Sequence, residues 1–85
     1  MAAYRLRPRG LRKIKIMYYV YVLQSESDRG LYIGFSGNLR RRIQEHRAGI
    51  ATATRHRGPW TLIYYEAYLI ESDAKGREIF LKSGA

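Results

Sequence analysis

Apolar residues recur along this chain with two different periods. Tyr18 to Leu23 (YYVYVL) and Leu31 to Phe35 (LYIGF) are short runs rich in β-branched and aromatic residues, which predicts two strands. The polar segment Glu26 to Gly30 between them is too short for a crossover, so the strands are expected to pair antiparallel. A register in which paired residue numbers sum to an odd value would put Tyr21 and Tyr32 on one face. Gly34 interrupts the second run, and a glycine inside a strand marks close approach of another group. Trp60 to Ile70 (WTLIYYEAYLI) is the longest β-type run and predicts a third strand, with Pro59 enforcing an extended start.

The period changes to that of a helix after Phe35. Asn38 is placed to cap Leu39 to Ala48, and Gly49 to stop it. Within that helix Leu39, Arg42, Ile43 and His46 fall at i, i+3, i+4 and i+7, so all four share the face that should meet the core. Leu39 and Ile43 suit a core. Arg42 and His46 suit it only if something polar or anionic awaits them. Ile50 to Gly58 is expected to hold at most one short helical turn. Ser72 is expected to cap a final helix from Asp73 to about Lys82, in which Ala74, Glu78 and Leu81 share a face. The fold expected is α+β, a three-stranded antiparallel sheet flanked by helices in the order β-β-α-(short α)-β-α.

Composition narrows this picture. Eighty-five residues, 46% of them apolar, suit one small folded domain. There is no cysteine, hence no disulfide and no thiolate metal site. The longest apolar run, Ile16 to Leu23, is far shorter than the roughly 18 residues of a membrane span, so no membrane partner and a cytoplasmic location are expected. The formal net charge is +9, and residues 1–16 contribute +6 of it with six Lys/Arg and no acid. Those residues read as a basic arm, expected to be disordered, ahead of a domain over 17–85. Such a charge balance points to a polyanion, nucleic acid foremost.

Five residues carry candidate chemistry. An inward Glu78 needs a cation, a donor or a proton. It reads either as a ligand for Mg²⁺ or Mn²⁺ or as an ion-pair partner for a basic group. Arg42 can grip a phosphate bidentately, or lay its stem over Ile43. His46, one turn on, can act as acid or base, or serve structurally. Tyr21 and Tyr32 can orient a water or merely pack. Arg40, Arg41, Arg47, Arg55 and Arg57 are candidate nucleic-acid contacts. Ser-His-Asp spacing, a phosphate-cradling glycine loop and a cluster of acids for two metals are all absent from the sequence.

These residues give the chain a resemblance to the GIY-YIG nuclease superfamily. Tyr19-Val20-Tyr21 matches its first motif with tyrosine in the glycine position, and Tyr32-Ile33-Gly34 matches its second intact. Arg42 falls where the family has its phosphate-binding arginine, His46 where several members have a histidine, and Glu78 where the metal-binding glutamate lies. DNA-repair members carry a lysine where this chain has Phe35. The resemblance covers Met17 to about Ser83 and is nearest to small single-domain bacterial members. It implies divalent-metal-dependent hydrolysis of DNA phosphodiesters with Mg²⁺ or Mn²⁺ and no small-molecule cofactor. The implied partner is DNA of low sequence specificity, branched or damaged DNA included, and a role in repair fits. The alternative is a catalytically weak or inactive nucleic-acid-binding module on the same fold.

Overall fold

The tyrosine-rich runs pair as the short connection between them requires. In the computed structural model, which describes residues 16–84, they form β1 (Tyr18–Ser25) and β2 (Leu31–Ser36). The chain continues through α1 (Leu39–Arg47), β3 (Trp60–Tyr68) and α2 (Glu71–Lys82). The expectation of a disordered arm falls on residues 1–15, outside those described. The sheet is antiparallel with order β2-β1-β3, so β1 is central and the other two are edges.

Register decides which side chains meet. Tyr21 pairs with Gly34 and Leu23 with Tyr32, an odd-sum register that puts Tyr21 and Tyr32 on one face. On the other flank Tyr21 pairs with Tyr65 and Leu23 with Leu62; the register shifts between these pairs, leaving Ile63 as an extra residue in a bulge. Tyr21, Leu23 and Trp60 form the buried cluster on this face, and Leu39 and Ile43 of α1 pack against it. The opposite face carries Val20, Val22, Phe35 and Glu66. Helix α2 sits on that side: Arg77 pairs with Glu66 at 3.0 Å and Lys75 lies over the Phe35 ring at 5.4 Å. Ala74 of α2 is fully buried, as its spacing predicts.

The ends of α1 follow local chemistry. Asn38 Oδ1 accepts from the Arg41 N–H at 3.1 Å, the capping bond its side chain was placed to make. At the other end Gly49 adopts φ +75, and the N–H groups of Ile50 and Gly49 donate to the Glu45 and His46 carbonyls at 3.0 and 3.2 Å. That is a Schellman stop, and its left-handed residue is the reason glycine is needed.

Two expectations are corrected. The short helix over Ile50 to Gly58 does not form; residues 51–57 are a run of turns. The Thr54 and Arg57 N–H groups close i→i+3 turn bonds, and the Thr54 carbonyl also accepts from Trp60 Nε1 at 2.8 Å; Pro59, with no N–H, offers no donor to continue a ladder. The last helix starts at Glu71, with Ile70 in the cap position and no side-chain cap bond, so Ser72 lies inside it. Glu71 and Asp73 instead place negative charge against the positive end of the helix dipole.

Candidate active site

Four elements bring a line of polar groups into the core. Tyr21 projects from the central strand and is 1% exposed. Its hydroxyl lies 2.9 Å from His46 Nε2, which α1 supplies. His46 Nδ1 lies 2.6 Å from Thr54 Oγ1, on the turn segment after α1. Trp60, at the start of β3, donates to the Thr54 carbonyl and holds that turn in place. All of these polar atoms are satisfied, which is the condition for burying them. The polar residue on the core face of α1 is thus explained for His46: its buried position has a hydrogen-bond partner on each ring nitrogen.

Tyr32 completes the cluster from the edge strand. Its ring lies 5.2 Å from the His46 ring and 6.3 Å from the Tyr21 ring. Gly34 makes this arrangement possible. A Cβ there would stand 2.3 Å from Tyr21 Cζ and 2.4 Å from its hydroxyl, so the Tyr21 ring lies directly over the glycine. The close approach marked by this glycine is therefore that of a phenol. Lying across β2, the ring carries its hydroxyl to His46, and Arg42 of α1 and Glu78 of α2 both act on it by charge.

Charge acts on the cluster accordingly. Burial pushes the Tyr21 phenol well above its usual range; the Tyr32 phenol adds to this, Arg42 opposes it by charge and hydrogen bonding, and Glu78 adds a smaller push. His46 is held below its usual range, first by burial and then by the Arg42 cation, against a weaker pull from Glu45. His46 is therefore neutral near pH 7, and Tyr21 keeps its proton.

The remaining candidates divide. Arg42 lies one turn before His46, is exposed, and pairs with Glu45 at 2.9 Å. Glu78 comes from α2, across the sheet; its side chain is 19% exposed and its partner is Lys82 at 3.0 Å. Among the described residues no three His, Asp or Glu side chains cluster as a metal centre. Arg41 reaches Glu45 at 3.8 Å from a well-exposed position. Arg40 and Arg47 line a cleft on the other side of α1. Arg55 donates to His56. The Arg57 guanidinium is engaged by Asp28 at 3.0 Å and lies 4.8 Å over the Trp60 ring, locking the β1–β2 turn to the segment before β3. Sequence reasoning passed over Thr54 and Trp60. A threonine in an ATAT stretch carries no local signal of the histidine it will meet eight residues away.

Among the described residues no helix is long and apolar enough to cross a membrane. Comparison with known proteins gives this geometry a family. A UPF0213 protein of Clostridium perfringens is 42% identical over 67 residues, covering 78% of this chain and 71% of the relative. One from Haloquadratum walsbyi is 40% identical over 67 residues, covering 78% and 74%. The solution NMR structure of a UPF0213 protein from Bacillus halodurans superposes with a TM-score of 0.52 at 34% identity, over 79% of this chain and 71% of that one. The model of the GIY-YIG catalytic domain matches residues 17–84, which hold every strand and helix described above. With the intact Tyr32-Ile33-Gly34 motif on β2 and Tyr21 of the first motif lying over its glycine, this chain belongs to the GIY-YIG nuclease family.

Proposed function

We propose that this protein is a divalent-metal-dependent endonuclease that hydrolyses DNA phosphodiesters with little sequence specificity. The observation that carries the proposal is the buried line Tyr21–His46–Thr54 beside Arg42. A phenol bonded to a neutral imidazole can pass a proton along the bond, and Arg42 stands beside the pair.

The proton steps follow from the donors and acceptors. In the tautomer that places a proton on Nδ1, His46 donates to Thr54 and its Nε2 accepts from the Tyr21 hydroxyl. A water attacking phosphorus gives a proton to the Tyr21 oxygen as Tyr21 passes its own to Nε2. The P–O bond to the leaving oxygen breaks as the new bond forms. Tyr32 orients the water from the edge strand. Arg42, exposed and at the mouth of the cluster, neutralises charge growing on the phosphoryl oxygens. Its pairing with Glu45 is a surface pair, worth about 0–1 kcal/mol, which a phosphate can displace.

Glu78 would hold the metal. A single carboxylate fits Mg²⁺ or Mn²⁺, which keep most of their waters and take remaining ligands from substrate phosphate. The bound ion would supply Lewis acidity and stabilise the leaving oxygen. Lys82 occupies the same carboxylate in this structure and would have to swing away.

The pairing of Glu78 with Lys82 also favours a second reading, a module that binds nucleic acid without cutting it. A panel of branched, nicked, duplex and single-stranded DNAs with Mg²⁺ and with Mn²⁺ separates the two. The nuclease reading expects metal-dependent cleavage of at least one of them. Binding that weakens steeply with salt, without cleavage under either ion, supports the module.

A further inference from the structure

Helix α1 has two flanks, and the proposed chemistry uses one of them. On the other lies a cavity of about 710 Å³ between α1 and the strands β1 and β3. Its walls include Tyr19 and Tyr65, with Leu62 between the strands and Arg40, Gln44 and Arg47 along α1. The volume falls within the roughly 300–1,000 Å³ of small-molecule sites.

The chemistry of the walls selects a ligand. The rings of Tyr19 and Tyr65 stand 6.2 Å apart at 58°, a tilted pair in which the two rings support each other. Tyr65 is 53% exposed, a large aromatic surface left uncovered. No acid lines the cavity. Arg41, Arg42, Arg57 and Arg77 each hold a carboxylate, whereas among the described residues neither Arg40 nor Arg47 does. Two uncommitted guanidinium groups suit an anion, the exposed Tyr65 ring suits a flat apolar partner, and the Gln44 amide offers a donor and an acceptor to the edge of that partner. Tyr19 also stands where the family's first motif has glycine, so the wall is built at the point where this chain departs from the motif.

We propose that this cavity takes an unpaired nucleobase of the nucleic-acid substrate, stacked on Tyr65 against Tyr19, with its flanking phosphates on Arg40 and Arg47. A base within a duplex has its faces covered by its neighbours and cannot enter; a base in a single strand, gap or flap can. The cavity and the Tyr21–His46 pair lie on opposite flanks of one helix, separated by about 10 Å of helix width. An extended single strand passing the N-terminal end of α1 spans that distance in a nucleotide or two. Stacking is tolerant of base identity, so such a site selects the structure of DNA and not its sequence.

This inference rests on the reading of the protein as a nucleic-acid enzyme, and its test keeps the two apart. Fluorescence anisotropy at low salt with EDTA compares a short oligothymidylate with an abasic strand of equal length and charge. The parent should prefer the strand with bases by roughly five- to 150-fold, the worth of one stacked base. Tyr65→Ala should collapse that preference, and Tyr65→Phe should keep it, which separates stacking from a folding defect. Arg47→Gln should weaken both strands alike. Equal affinity of the parent for the two strands, or a preference that survives Tyr65→Ala, overturns the base cavity. If DNA is still cut with Mg²⁺ in that case, only the cavity falls. If neither strand binds at all, the nuclease reading falls with it.

Discussion

Adding one methyl group at Gly34 tests whether the Tyr21 ring is held where the chemistry needs it. The new Cβ of Gly34→Ala would lie 2.3 Å from Tyr21 Cζ. An ordinary carbon contact needs about 3.5 Å, so the ring must retreat by roughly 1 Å. It has little room, because the His46 and Tyr32 rings sit 5.7 and 6.3 Å from it, centre to centre. A displacement of that size spoils the geometry of the 2.9 Å bond to His46. Overpacking of this kind costs about 1–3 kcal/mol, and in a domain this small each kcal/mol lowers Tm by about 4–8 °C. A 1 Å misplacement of a reacting group costs about 100-fold in rate. Calorimetry and a single-turnover cleavage assay read the two effects. A variant that melts and cuts as the parent does would refute the placement of Tyr21.

Thr54→Val keeps the shape and removes the hydroxyl, leaving a buried His46 nitrogen without its partner. We expect a loss of about 1–3 kcal/mol in urea unfolding and a cleavage pH profile displaced from the parent's, with Thr54→Ser restoring both; an unaltered profile would remove Thr54 from the proton path. Below about pH 6.5 the unfolded chain protonates His46 while burial and Arg42 keep the folded one neutral, so stability should fall as pH drops from 7 toward 5. Asp28, held by Arg57, and Glu66, held by Tyr64, Tyr68 and Arg77, are both pushed down to about 2, so their stabilisation is intact above about pH 4.5 and is lost progressively as pH falls from there toward 2. Urea midpoints measured at steps from pH 7.5 to pH 3 should show both declines; a flat line between pH 7 and 5 would contradict the buried neutral histidine. Lys82→Gln frees Glu78 of its competitor and should lower the Mg²⁺ concentration for half-maximal cleavage a fewfold. A higher requirement would mean that Lys82 supports the site and does not compete for it.

Local signals made most of the fold legible. The cap at Asn38 and the stop at Gly49 are written in single residues that act on their own neighbours, and both ends of α1 lie where those residues put them. The β1–β2 pairing follows from loop length. What eluded sequence reasoning depends on partners distant in the chain. Residues 51–57 form turns, and the Trp60 indole, from β3, ties them down through the Thr54 carbonyl. Arg57 looks like a phosphate contact until Asp28, twenty-nine residues away, is seen to hold it. The candidate site divides in the same way. A histidine on the core face of α1 announces a polar partner, but nothing local says that the partners are Tyr21 and Thr54. Gly34 announces a close approach, and only the register shows that a phenol makes it. The inward spacing of Glu78 leaves open a metal ligand or a partner for a basic group, and in the fold Lys82, one turn on, is the basic group it pairs with.

The central claim is that this domain cuts DNA through one metal-binding carboxylate acting with a buried phenol–imidazole pair. The most direct measurement is nicking of supercoiled plasmid by the parent and by Glu78→Gln, with Mg²⁺ and then with EDTA, on proteins shown by calorimetry to melt alike. The account predicts nicking by the parent that EDTA stops, and none by Glu78→Gln. Equal nicking by the two proteins, or nicking by the parent that persists in EDTA, would contradict it.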